Sequence, residues 1–198
     1  MTLSRYKNML LIFMAVLFVA SCASKSPPRN PRDACEILRE KDGWYEAMAE
    51  TRSKYGIPIS SQLAIMRQES AFVHDARPPR TYFLFIPTGR ISTAYGYSQA
   101  LDGTWDHYQK STGNSWADRD DFDDASDFIG WYTSITHRRY GVPFRNVRDH
   151  YVAYYVGHGG YGRGKWKSNN WLLKIAAKVQ RYADTYYDQL IACEDEFR

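Results

Sequence analysis

Glu69 closes the run Gln62-Leu63-Ala64-Ile65-Met66-Arg67-Gln68-Glu69-Ser70-Ala71-Phe72, where a carboxyl follows a largely apolar stretch. A carboxyl in apolar surroundings is harder to ionise. Held protonated near neutral pH, it can hand a proton to a leaving oxygen. Breaking a glycosidic bond needs such a proton, together with stabilisation of an oxocarbenium-like centre. Alone, a glutamate before a serine is a weak signal, because a solvated helix end gives the same pattern. Its weight comes from two later blocks that follow in order, Gly96-Tyr97-Ser98-Gln99 and Ala153-Tyr154-Tyr155-Val156-Gly157.

Together the three blocks resemble the soluble lytic transglycosylase (SLT) family, goose-type-lysozyme-like enzymes that cut bacterial cell-wall glycan. The stretch from Trp44 to Phe72 is similar to the family's first two core helices and ends in its Glu-Ser signature at Glu69 and Ser70. Gly96 and Gln99 match the ends of the family's Gly-Leu-Met-Gln block, with Tyr97 and Ser98 substituted. The third block resembles Ala-Tyr-Asn-Ala-Gly, with Tyr155 where asparagine is usual. The resemblance spans roughly Trp44 to Tyr187, and it rests on the order and spacing of the blocks.

The resemblance implies a mainly α, lysozyme-like fold and a single catalytic acid/base, Glu69. It implies that Ser70 orients substrate or carboxylate, that Gln99 hydrogen-bonds the sugar, and that Tyr154 sits near Glu69 and helps hold it. Tyr97, Ser98 and Tyr155 would alter the cleft floor and remove the usual amide contact. Arg80 and Arg90 lie in a link longer than usual, and could meet cell-wall carboxylates or be solvated. In the implied reaction Glu69 protonates the oxygen between N-acetylmuramic acid and N-acetylglucosamine. It then takes the C6 hydroxyl proton as a 1,6-anhydro ring closes. Two other readings stay open. One is a hydrolase using Asp75 or Asp102 as a base for water. The other is a non-catalytic glycan-binding or scaffold protein.

The elements that must position these residues read as helices. Apolar and aromatic spacing predicts one broken helix or two short ones between Cys35 and Tyr55, interrupted at Asp42-Gly43. Ser60 is a candidate N-cap for a helix from Ser61 to about Ser70, which puts Glu69 in the last turn. The dipole's negative end lies there and disfavours a charged carboxylate. Tyr82 to Ile86, a turn at Pro87-Thr88-Gly89-Arg90 and a return over Ile91-Ser92-Thr93 predict a small hairpin or ordered loop within residues 80–93. Helix is predicted again over Ser98–Ser111, then after the acidic cluster Asp120–Asp124, over Asn146–Val156 and over Asn170–Ile191. Gly157 to Gly164 reads as a flexible turn. The acidic cluster lacks the glycine and glutamate of an EF-hand loop, which favours a helix N-terminus over calcium.

The remaining features bound the setting. A net charge of +4, with no basic stripe interleaved with aromatics, excludes a nucleic-acid partner. The histidines at 74, 107, 137, 150 and 158 form no metal-ligand pattern, so no metal or cofactor is expected. Aromatic residues make up 16% of the chain, and their flat faces suit sugar rings as well as a core. Arg5 and Lys7 precede an apolar run from Met9 to Ala20, which reads as a signal peptide. That run ends in Val19-Ala20-Ser21-Cys22, which resembles a lipoprotein lipobox. The resemblance implies residues 1–21 as signal, acylation of Cys22 and a membrane anchor, with Ala23 favouring the outer membrane facing the periplasm. Residues 22–33 read as a basic, proline-rich tether, and 34–198 as one catalytic domain. With Cys22 acylated, Cys35 and Cys193 remain, and export favours a disulfide between them over two free thiols. Peptidoglycan and the membrane are the expected partners, with envelope-complex proteins unspecified. Mass spectrometry of the native N-terminus should find a diacylated or triacylated Cys22. A Cys22→Ala protein that is still processed and still membrane-bound would sink this expectation.

Overall fold

The structure is a computed structural model and describes residues 25–198; Cys22 and the apolar run lie outside the described residues. Among the described residues, seven α-helices and one hairpin follow in order. They are α1 (Ala34–Glu40), α2 (Trp44–Tyr55), α3 (Ile59–Ser70), β1 (Arg80–Phe83), β2 (Ile86–Arg90), α4 (Asp102–Thr112), α5 (Phe122–Tyr140), α6 (Val147–Arg163) and α7 (Asn170–Cys193). The fold is mainly α, as the sequence implies.

Helix α3 is the centre. Every residue from Ile59 to Met66 is buried, so this helix has no solvent face over its first two turns. Burial on all sides leaves polar side chains needing partners. Gln62 supplies the solution. Its amide nitrogen donates to the carbonyls of Met48 (3.0 Å) and Ile57 (3.2 Å), and its oxygen accepts from Ser126 at 2.6 Å. One side chain thereby ties α3 to α2 and α5.

Helix α7 packs along α3 and α6. Its buried positions are Leu172, Ala176, Val179, Ala183, Tyr186, Leu190 and Cys193, alternating steps of four and three. Such a seam keeps one face against its neighbours along the whole helix. Its end is bonded back to α1 by the Cys35–Cys193 disulfide, with Cα atoms 6.0 Å apart and a sequence separation of 158. Arg39 adds a two-pronged bond to Glu196, at 2.8 and 2.7 Å.

Several boundaries depart from the sequence reading. Ser60 does not cap α3. Pro58 does, with its carbonyl accepting from Ser61 and Gln62, and Ser60 is buried inside the first turn. Pro58 has φ −60° and an extended ψ, which suits that cap. The hairpin turn falls at Leu84-Phe85, and Pro87 to Arg90 belong to the second strand, with Arg80 opposite Arg90. Helix α4 starts at Asp102 rather than Ser98, because Gln99 takes φ +50° and Tyr95 pairs with Ala100. The run 157–164 is mostly helical. Gly157 alone breaks α6, at φ 73° and ψ 157°, a region open essentially to glycine. Residues within the 22–33 segment also meet the domain. Pro28 is buried, Pro31 O accepts from Tyr186, and Gln189 donates to Arg32 O and accepts from Ala34 N. Asp121 caps α5 by accepting from the amides of Asp123 and Asp124, so the acidic cluster is a helix start.

A bridge across so long a loop restrains the unfolded chain strongly, typically by about 2–5 kcal/mol. Reduction, or Cys35→Ser with Cys193→Ser, should lower the unfolding free energy extrapolated from denaturant curves by an amount in that range. Unchanged unfolding curves after verified reduction would show the bridge to be energetically idle.

Candidate active site

Glu69 occupies the last turn of α3, followed by two residues in left-handed conformation, Ala71 (φ 51°) and Phe72 (φ 65°). Non-glycine residues adopt this region at a cost of roughly 1–2 kcal/mol each. Two features hold them there. Phe72 is fully buried against Trp44. The Ser70 hydroxyl donates to Met66 O (3.2 Å) and accepts from Phe72 N–H (3.1 Å). Ser70 thus fixes the turn that carries the carboxyl.

The second block is a backbone crossing. Gly96 N–H donates to Ala76 O at 3.0 Å, and Tyr97 N–H donates to Arg119 O at 3.1 Å. A Cβ on Gly96 would stand 1.9 Å from that Arg119 oxygen, so only glycine passes. Tyr97 turns into the core, edge-on to Trp44 and Phe122, whose rings stack at 3.7 Å. Ser98 is fully buried and its hydroxyl is unpartnered. Gln99 donates both amide hydrogens to backbone, to Ala76 O and Gly96 O at 2.9 Å each, which leaves its carbonyl oxygen free.

Helix α6 brings the third block to the first two. The Tyr154 hydroxyl donates to Ser98 O at 2.6 Å, joining block to block. Its ring meets Tyr132 of α5 at 5.0 Å. Tyr132 in turn donates to Ala153 O at 3.1 Å. One turn earlier on the same face of α6 sits Tyr151, buried and directed at Glu69. The sequence reading missed Tyr151. Its only signal was the three-residue spacing from Tyr154.

Part of Glu69 still meets solvent, yet protein closes around its carboxyl. Burial lifts its pKa from the ordinary 4.5 to about 7, and the Tyr151 hydroxyl pulls modestly the other way. Burial and the nearby Glu69 charge both push the Tyr154 phenol well above its usual value, so it remains a donor. At neutral pH Glu69 is therefore poised between acid and base.

Beside Tyr154 opens a cavity of about 240 Å³, bounded by Gln99, Leu101, Phe128, Tyr132, Tyr155 and Gly157. Glu69 is not part of its lining, so the cavity flanks the carboxyl. No acidic residue lines it. Tyr155 is half exposed at its mouth and meets Trp171 edge-on at 5.6 Å. Two smaller or more acidic cavities, around Tyr187 and around Asp127, share none of these residues. Asp75 has a well-exposed side chain near His74. Asp102 is held by Arg119 at 2.8 Å, and Arg119 also donates to Thr93 O and Ala100 O. His158 stacks on Tyr132 at 4.1 Å, and its Nε2 lies 3.0 Å from Thr136 Oγ1.

A helical domain that brings three spaced blocks onto one buried glutamate defines the class. Residues 10–193 match the family model described as Transglycosylase SLT domain, and the chain belongs to that family. No curated protein and no solved structure matches it. Membership associates the chain with peptidoglycan and with chemistry of the lytic-transglycosylase type.

The raised pKa carries a stability consequence. An acid whose folded pKa exceeds its unfolded value binds more protons when native, so stability falls as pH rises from about 4.5 to about 7 and then levels off. The full shift corresponds to about 3 kcal/mol. Glu69→Gln removes that penalty. Relative to wild type, the variant should gain about 2–3 kcal/mol between pH 4 and pH 8 in urea unfolding. A wild-type-to-variant difference that does not move with pH would mean the carboxyl is not desolvated.

Proposed function

We propose that the protein is a peptidoglycan lytic transglycosylase that cleaves the β-1,4 bond between N-acetylmuramic acid and N-acetylglucosamine. The observation that carries this reading is the desolvated Glu69, with a pKa of about 7, at the junction of the three blocks. Protonated Glu69 donates to the N-acetylglucosamine O4 as the C1–O4 bond breaks. The acetamido oxygen of the muramic acid stabilises C1. Glu69, now a carboxylate, accepts the C6 hydroxyl proton while O6 bonds to C1. The 1,6-anhydro ring forms, the carboxyl is protonated again, and no water is consumed.

This sequence needs one group able to give and then take a proton, and a pKa near the working pH serves both steps. It needs no second carboxylate, which agrees with a flanking cavity that has no acidic lining. Tyr151 orients the carboxyl. Tyr154 braces the Ser98 carbonyl, and the free Gln99 oxygen is the acceptor for a sugar N–H or O–H. We further propose a lipid on Cys22 as the anchor to the envelope, which takes no part in the chemistry and holds the domain against its polymer.

Loss of a general acid costs about 10²–10⁴-fold in rate, and here the base step is lost with it. Glu69→Gln should therefore abolish release of 1,6-anhydromuramic products from purified sacculi, while Asp75→Asn and Asp102→Asn keep most activity. Wild-type rate should fall as pH rises above about 7, where Glu69 loses its proton. Reducing-end products that depend on either aspartate would indicate a hydrolase. Glycan binding without any products would indicate a binding protein.

A further inference from the structure

The hairpin between the first two blocks plays no part in that chemistry. From Asp75 to Asp102 the chain holds no intervening acidic residue, while it carries Arg77, Arg80 and Arg90. Its tip is apolar and bare. Leu84, Phe85 and Ile86 are 78%, 96% and 66% exposed, with Tyr82 beside them. Among the described residues, neither strand packs substantially on any helix. Elsewhere Tyr155 pairs with Trp171, Tyr187 and Ile191 lie one turn apart on α7, and Leu101 and Trp116 stand apart from these, so the hairpin tip with the adjoining Ile91 is the densest group of bare apolar side chains among the described residues.

The chemistry of the tip selects its occupant. Phe85 has a flat face, but Leu84 and Ile86 on either side of it have neither a flat face nor a hydrogen-bonding group, so the tip as a whole suits hydrocarbon better than a sugar strand. A second β-strand fits poorly as well. Pro87 lacks an amide hydrogen, the register slips between Thr81 and Tyr82, and the strands have four and five residues. An anionic lipid surface fits both halves of the element. Apolar side chains enter the acyl boundary while guanidinium groups stay among headgroup phosphates. The lengths are compatible. Arg80 and Arg90 are register partners at the open end; Arg80 is three residues from Phe83 at the turn, about 10 Å at ~3.3 Å per residue, and Arg90 is four from Ile86, about 13 Å. Interfacial elements bury their apolar side about 5–10 Å deep. Arg90 also donates to Pro78 O, which secures the base of the hairpin.

We propose that the hairpin is a membrane-contact element that inserts Leu84, Phe85 and Ile86 into an anionic lipid surface. The inference depends neither on the glycan chemistry nor on acylation of Cys22.

A local readout tests it in the full chain. In a Cys22→Ser background, Phe85→Cys is labelled with an environment-sensitive dye, and Lys110→Cys serves as the control site. On phosphatidylglycerol-rich vesicles the dye at 85 should shift to the blue and brighten. The dye at 110 should not change. Phosphatidylcholine vesicles should give a smaller shift. Adding Leu84→Ser and Ile86→Ser should remove the response. No shift at 85 on anionic vesicles overturns the proposal. So does a shift that appears with purified sacculi and not with vesicles, which would make the hairpin a cell-wall contact.

Discussion

Burial of α3 on every side over its first two turns is the constraint from which the rest of the structure follows. A helix without a solvent face must be surrounded, and α2, α5, α6 and α7 do the surrounding. Its polar residues must find partners inside, which Gln62 and Ser126 provide. The same enclosure reaches the last turn, where Glu69 finds its carboxyl out of water. The functional perturbation is thus a product of the packing that folds the domain. A more solvated α3 would give a less stable core and an ordinary glutamate together.

Around that helix the three blocks contribute mostly backbone. Gly96 lets two chain segments cross. Ser98 offers a carbonyl to Tyr154. Gly157 ends the straight part of α6 just after the tyrosines and lets the chain turn away. Main-chain atoms have fixed positions once the fold is set, so the carboxyl is framed by groups that need no rotamer freezing on substrate arrival. The substituted side chains fit this pattern. Tyr97 packs in the aromatic core and Ser98 is enclosed, so each adapts to local volume while the backbone keeps its course.

Much of this was legible in the sequence because it is periodic or punctuated. The break at Asp42-Gly43, the acidic cluster before α5 and the helical run from Asn170 are local signals, and each element formed where they pointed. Pairing of Cys35 with Cys193 followed from counting. What escaped was set by tertiary contacts. Ser60 resembles a cap, yet the proline before it starts the helix and the core takes the serine. Gln99 reads as helical, yet hydrogen bonds to Ala76 and Gly96 hold it left-handed. The glycine-rich run reads as a turn, though one glycine bends it and the others stay helical. Tyr151 carried no motif at all. Only the meeting of α3 and α6 gives it a carboxyl to face.

The disulfide makes the chain from Cys35 to Cys193 a covalent ring that encloses the hairpin and all three blocks. A protease reaching the bare tip at Leu84-Phe85 would cut one peptide bond and release nothing. The two pieces would stay linked at the far side of the domain, where Arg39 and Glu196 also join them. Such a nicked molecule would migrate as two fragments only after reduction. Its central helix and its three blocks would remain assembled, so damage at the most accessible loop need not scatter the site it borders.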